Sequence, residues 1–194
     1  MNTARRVAVL GLVLAVAPPG ANRAVAQRAY SAQPPVAITS CGQSSDAFTL
    51  SLLSKRVRLD HTFGPLLKVE ELRGVKTLVI VVGGSLKGLV EAGMDQRGEM
   101  ARVNALLAAA RQSKVAVIAV HLGGESRRGS VSDPFIDLVI RKADYLVVTE
   151  AGNKDGLFTK TARTRGVPLV IVAQSAEVAR ELKALFPSLP GLLP

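Results

Sequence analysis

Residues 76–88 read KTLVIVVGGSLKG. Leu78, Val79, Ile80, Val81 and Val82 are consecutive and apolar, and all but the first are β-branched. The run stops at Gly83-Gly84. A short unbroken apolar run ended by glycine is the pattern of a strand buried on both faces, as in a parallel sheet covered by helices. Ser85, Lys87 and Gly88 follow, then a helical stretch. A glycine-rich turn at the carboxyl end of a central strand is where open α/β sheets take ligands.

Working outward, four more strands are expected, at residues 36–40 (VAITS), 114–121 (KVAVIAVH), 145–148 and 169–172. Helical patterns lie between them. One runs to about Val57, with Phe48, Leu50, Leu52 and Leu53 forming a single apolar stripe toward the sheet. A long one, residues 96–112, follows Asp95 as its cap, with Met100, Val103, Leu107 and Ala110 on one face. Others start at Asp133-Pro134 and at residue 156, and Ser175 caps the last. Residues 60–65 read as loop and 68–72 as one helical turn. Five strands joined by connections long enough for crossover helices predict one α/β domain, residues 36–186: a three-layer, flavodoxin-like or Rossmann-like doubly wound parallel sheet. The strand order 2-1-3-4-5 is expected first and 3-2-1-4-5 second.

The amino terminus has the pattern of an export signal: Arg5 and Arg6, an apolar stretch at 7–17, then Ala24-Val25-Ala26 as a cleavage site. The apolar stretch is too short to span a membrane, so no stable span is expected after cleavage. Residues 1–26 are therefore read as a signal peptide, 27–35 as a flexible leader and 187–194 as a tail, and the protein as periplasmic or extracellular. Removing 1–26 takes away three arginines and no acid, which lowers the net charge from +10 to +7. A mildly basic exported protein suits anionic lipid, polysaccharide or small anions. Nucleic acid is not expected, since basic runs interleaved with aromatics are missing from a chain with two Tyr, five Phe and no Trp. One cysteine allows no internal disulfide, and two histidines without CxxC or HExxH make no metal site. No motif assigns a cofactor.

In a parallel sheet all strand exits share one edge. Here those exits are polar or rich in glycine, while the opposite connections, 112–114 and 166–167, are bare. The candidate ligand-binding residues are Gly42, Gln43, Ser44, Gly83, Gly84, Ser85, Lys87, His121, Gly123, Gly124, Glu125, Arg127, Glu150, Asn153 and Lys154. Gly83 to Gly88 suits an anion cradle with Lys87 as counter-ion, or a tight strand-to-helix turn beside a solvated lysine, the turn preferred. It is neither a Walker A loop nor G-x-G-x-x-G. His121 is a pocket base or a half-buried strand-end histidine. Glu125, Arg127 and Arg128 form a binding loop or a solvated lid with internal ion pairs, and Asn153 and Asp155 are site residues or turn and cap residues. Cys41 is an activated thiol or a small core filler, the filler preferred. The expected crevice opens between the first and third strands, with residues 83–87 as one wall and 149–154 as the other. Ser85, His121 and Glu150 are the weakest candidates, as a catalytic triad without a G-x-S-x-G elbow.

The segments AITSCGQSSDAF, KTLVIVVGGSLKGLVEAG, AVIAVHLGGESRRG, SDPFID, ADYLVV and GNKDGLFT resemble an exported bacterial family catalogued only as a domain of unknown function. The resemblance covers residues 36–186 and implies a signal peptide and a single α/β domain, without assigning an activity or catalytic residues. Cys41 departs from the Ala or Ser expected after Thr-Ser in that pattern.

Three functions compete. The first is binding of a small, anionic solute by the exit loops. The second is a protein–protein interaction module built on the same edge. The third is a hydrolase-like enzyme using His121 with Glu125 or Glu150.

Overall fold

The computed structural model describes residues 30–186. Along them lie β1 (Val36–Cys41), α1 (Asp46–Arg56), β2 (Thr62–Phe63), β3 (Thr77–Val82), α2 (Leu86–Glu91) and α3 (Gln96–Gln112). Then come β4 (Ala116–His121), α4 (Asp133–Ile140), β5 (Tyr145–Thr149), α5 (Leu157–Arg165), β6 (Leu169–Val172) and α6 (Ser175–Ala184). Short 3-10 turns occupy Val69–Leu72, Glu125–Arg127 and Glu150–Asn153. The expected signal peptide, the start of the expected leader and the expected tail fall outside the described residues.

The six strands form one open sheet in the order β2-β1-β3-β4-β5-β6, and every pair is parallel. The apolar run that decided the fold is β3, at the centre, with Leu78 through Val82 fully buried. Leu78, Ile80 and Val82 pack into the core under α3, α4 and α5, against Val103, Leu106, Phe135, Ile136 and Phe158. Val79 and Val81 turn to the other face, against Leu50 of α1 and Val178 and Leu182 of α6. Two apolar faces require an unbroken apolar strand, and each such side chain contributes roughly 1.5–3 kcal/mol by burial. Helix starts are set locally. Asp95 Oδ1 accepts the Gly98 N–H at 2.6 Å to begin α3, and Ser85 Oγ accepts the Gly88 N–H at 3.0 Å to begin α2.

The structure corrects the expected topology in three places. The described residues hold six strands, because β2 forms inside the stretch expected as loop. The Gly64 N–H donates to Ile38 O at 3.1 Å and the Thr62 hydroxyl to Val36 O at 3.4 Å, so the outer edge of β1 gathers these residues. Second, the strand at 77–82 is third in sequence and lies between β1 and β4, so no crevice separates β1 from the strand ending at His121. The point where successive connections diverge is instead between β1 and β3. Third, Phe48 and Leu52 do not face the sheet: Phe48 is 56% exposed. Small residues, Ala47, Ser51 and Ser54, sit with Leu50 on the buried side of α1 and let it pack close to the sheet and α6.

Candidate functional site

The exit loops of β1 and β3 are closed on each other. Gln43 and Gly84 form an antiparallel bridge. The N–H groups of Gly83, Gly84 and Ser85 donate to Cys41 O (3.0 Å), Ser132 Oγ (3.0 Å) and Gly42 O (2.8 Å). The three amides that were to cradle an anion are therefore engaged within the protein. The glycines serve close backbone contact. A Cβ on Gly42 would lie 2.6 Å from Gly83 O, and one on Gly88 would collide with Gln43 O. Gly42 itself sits at φ 99°, a conformation costly to any other residue.

Behind this junction lies a buried ion pair. Glu99, in the first turn of α3, is 0% exposed. Its Oε1 accepts from Gly42 N–H (3.0 Å), Gln43 Nε2 (2.9 Å) and Arg102 Nη2 (2.8 Å), and its Oε2 from Arg102 Nε (2.8 Å). Arg102 also donates to Leu67 O (2.9 Å) and Ser40 O (2.6 Å). Every strong polar group of the pair is satisfied, which is the condition for burying charge at tolerable cost. Burial, with Glu99 nearby, pushes the Cys41 thiol far above its usual range, and its Sγ donates weakly to Phe135 O at 3.7 Å. The geometry is that of a buried neutral thiol.

In front of the junction is an open groove of about 600 Å³. Gln43, Ser44 and Ser45 line it from the β1 exit, and Ser85, Lys87, Gly88 and Glu91 from α2. Phe48, Phe63 and Pro65 form an apolar wall, the two rings 6.2 Å apart, and Arg127 reaches in from the β4 exit. Ser44 Oγ and Asp46 Oδ2 are buried atoms without a hydrogen-bond partner among the described residues. Lys87 and Glu91 pair at 3.6 Å with both side chains largely exposed.

Loops and groove lie within residues 33–186, which match the model of a domain of unknown function, DUF6305. The chain belongs to the DUF6305 family. No curated protein matches the chain.

Within this DUF6305 domain the expected site residues divide into two groups. Gln43, Ser44, Ser85, Lys87 and Arg127 meet at the groove. Gly42, Gly83 and Gly84 lie in the junction behind it. The rest belong to a second knot, at the exits of β4 and β5. His121 is fully buried, its Nδ1–H donating to Val82 O at 2.8 Å and its ring stacked 5.6 Å from Phe158. Its Nε2 has no partner among the described residues. Burial holds its pKa below the ordinary 6.5, outweighing the Val82 hydrogen bond. Gly152 packs against it, since a Cβ there would be 2.5 Å from His121 Cδ2. Gly123 is covered by Arg127, a Cβ on Gly124 would lie 3.3 Å from the Ala151 side chain, and Glu125 pairs with Lys154 at 2.9 Å. Asn153 Oδ1 accepts from Phe158 N–H (3.1 Å), which makes it the cap of α5. Glu150 is exposed. Among the described residues no hydrogen bond joins Ser85, His121 and Glu150.

Sequence reasoning placed Arg128 in a charged loop without naming its partners, and it missed Glu99. Arg128 donates to Asp133 (2.8 Å), Asp155 (2.8 Å) and Gly152 O (2.8 Å), and lies over the Phe158 ring. Its hydrogen bonds hold the Asp155 carboxyl below the usual carboxylate range. Glu99 left one signal: it lies one turn before Val103 on the apolar stripe of α3, where a charge has no place unless paired. Among the described residues no three His, Cys, Asp or Glu side chains are grouped to hold a metal, and no helix is long and apolar enough to cross a membrane.

Proposed function

We propose that the protein is an exported binding protein for a small solute that carries an anionic group. The observation that carries this reading is the groove in front of the β1–β3 junction, which combines Lys87 and Arg127 with hydroxyls and an apolar wall. The order β2-β1-β3-β4-β5-β6 supports a flavodoxin-like assignment, and that class binds its ligand beside the β1–β3 switch point. The ligand's anionic end lies toward Lys87 and Arg127 and its apolar body against Phe48 and Phe63. A hydrolase reading has less support, since Ser85 Oγ accepts from the α2 backbone and the buried His121 ring turns to Val82 O.

The test is a thermal-shift screen of aliphatic and aromatic carboxylates and sulfonates against the chain from Gln27. A binder raises the melting temperature. Lys87→Ala should weaken it by about fivefold, and Phe48→Ala should weaken it more. A binder indifferent to both substitutions would remove the groove from consideration. Mass spectrometry of the protein from the exporting host should find Gln27 as the first residue; Met1 retained in membranes would refute export.

A second reading has its own observation. Leu86 and Val90 of α2 are 64% and 77% exposed, and Phe48 and Leu52 of α1 are exposed as well. Such side chains beside the groove favour a partner protein over a solute. Binding of small molecules that leaves Leu86→Ser and Val90→Ser indifferent supports the first reading.

A further inference from the structure

At the opposite, amino-terminal edge of the sheet lies another groove, of about 570 Å³, within the range of small-molecule sites. Its floor is apolar, with Leu107 and Val115 buried. Four cations line it, from three separate parts of the chain: Arg111 and Lys114 at the end of α3 and beyond it, Lys142 after α4, and Arg165 at the end of α5. The single acid of the lining is Asp144, whose Oδ2 accepts the Val117 N–H at 2.8 Å. Among the described residues none of the four cations is in an ion pair.

Part of this arrangement has a structural cause. Helices α3, α4 and α5 end at this edge, and cations suit the partial negative charge of helix carboxyl ends. Arg165 does this directly, donating to Ile140 O and Ala143 O at the end of α4. Lys142 donates to the neutral Asn104 side chain at 2.7 Å. Among the described residues the Arg111 and Lys114 side chains have no hydrogen-bond or acidic partner. Lys114 also stands at φ 55°, where glycine is the cheaper residue. Helix ends alone do not call for a concave surface with several cations around an apolar floor.

We propose that this groove is a second binding site, for a phosphate monoester with an apolar body. A dianionic phosphate accepts hydrogen bonds from several directions at once, which suits donors arriving from three chain segments. Arginine supplies a planar fork and lysine a mobile point charge for such oxygens. The apolar floor takes the body of the ester. The phosphate belongs either to a free small molecule or to a lipid headgroup.

The test is calorimetric titration of the chain from Gln27 with phenyl phosphate. One saturable site is expected, weakening as ionic strength rises from about 0.05 to about 0.2 M. The double variant Arg111→Glu/Lys114→Glu should weaken binding about tenfold or more. Lys87→Ala, at the other edge, should leave it unchanged. Circular dichroism melting checks the fold, and Lys142→Ala, expected to weaken binding several-fold, replaces the double variant if that one unfolds. Cosedimentation with phosphatidylcholine vesicles containing phosphatidic acid separates the sources. Binding lost in the double variant makes the ligand a headgroup, and intact phenyl phosphate binding without vesicle binding makes it a free ester. No saturable heat, binding that survives the charge change, or binding abolished by Lys87→Ala overturns the proposal.

Discussion

At the carboxyl edge the amides of Gly83, Gly84 and Ser85, the carboxylate of Glu99 and the guanidinium of Arg128 all have partners within the protein. At the amino edge Arg111 and Lys114 have none among the described residues, and the connections are short. The two edges carry grooves of similar size, about 600 and about 570 Å³. Long polar loops are therefore not the same thing as available polar groups. A loop of a dozen residues must satisfy its own backbone, and its glycines and hydroxyls are consumed in doing so. A connection as short as residues 113–115 has little backbone to satisfy, and the Arg111 and Lys114 side chains beside it are left without partners among the described residues.

If that contrast is right, substitutions at the carboxyl edge cost stability and those at the amino edge do not. The largest effect is expected for Glu99→Ala, which strands Arg102 and the Gly42 amide in a buried site. It should lower the unfolding free energy by about 3–5 kcal/mol in urea titration. A loss under about 1 kcal/mol would mean that water replaces the carboxylate and that the junction is not held by charge. Next is Gly88→Ala, whose Cβ meets Gln43 O. Forcing the two loops apart should cost about 1–3 kcal/mol by the same measurement. An unchanged midpoint would show that the bridge between the exits gives way freely.

A smaller effect is expected from pH. His121 is buried and neutral, with its folded pKa below the 6.5 of the unfolded chain. The unfolded state binds the extra proton, so this contribution is complete above about pH 6.5 and is lost as pH falls toward the folded pKa. Urea titrations between about pH 7 and about pH 5 should show stability falling, with a shallower slope in His121→Gln. Equal slopes would mean that the Nε2 position is open to water. The smallest effect has the opposite sign. Lys114→Gly relieves the left-handed backbone at φ 55° and should raise stability by about 0.5–1 kcal/mol. A loss instead would mean that the lysine side chain has a structural partner, and would weaken the contrast between the edges.

What could be read in the sequence follows from how local its causes are. β3 was legible because five apolar residues ending at two glycines state both burial and direction. Asp95 as the cap of α3 was legible for the same reason, whereas Ser175, expected to cap the last helix, is its first residue, after Gln174. β2 was not, since two residues have no periodicity and Thr62 and Phe63 are strand only because β1 offers carbonyls to that side. Gln43, Ser44, Ser85, Lys87 and Arg127 could be named together because all strand exits share an edge. Glu99 and Arg102 were missed because their partners, Gly42, Ser40 and Leu67, lie more than thirty positions away. The cations of the amino edge were missed because residues 111, 114, 142 and 165 form no cluster in the chain.

The meeting of Arg102 with Ser40 O has a consequence for how this molecule behaves in a crowd. The outward carbonyls of β1 are those of Val36, Ile38 and Ser40. Thr62 Oγ1 covers the first, Gly64 N–H the second, and Arg102 Nη2 the third, where β2 has already ended. An uncovered strand edge is a template on which a foreign strand can add, and proteins that leave one open tend to associate edge to edge. Here a side chain anchored by a buried carboxylate finishes what a two-residue strand leaves undone. The same arginine that holds the loops in place thus covers the end of the outer edge of β1.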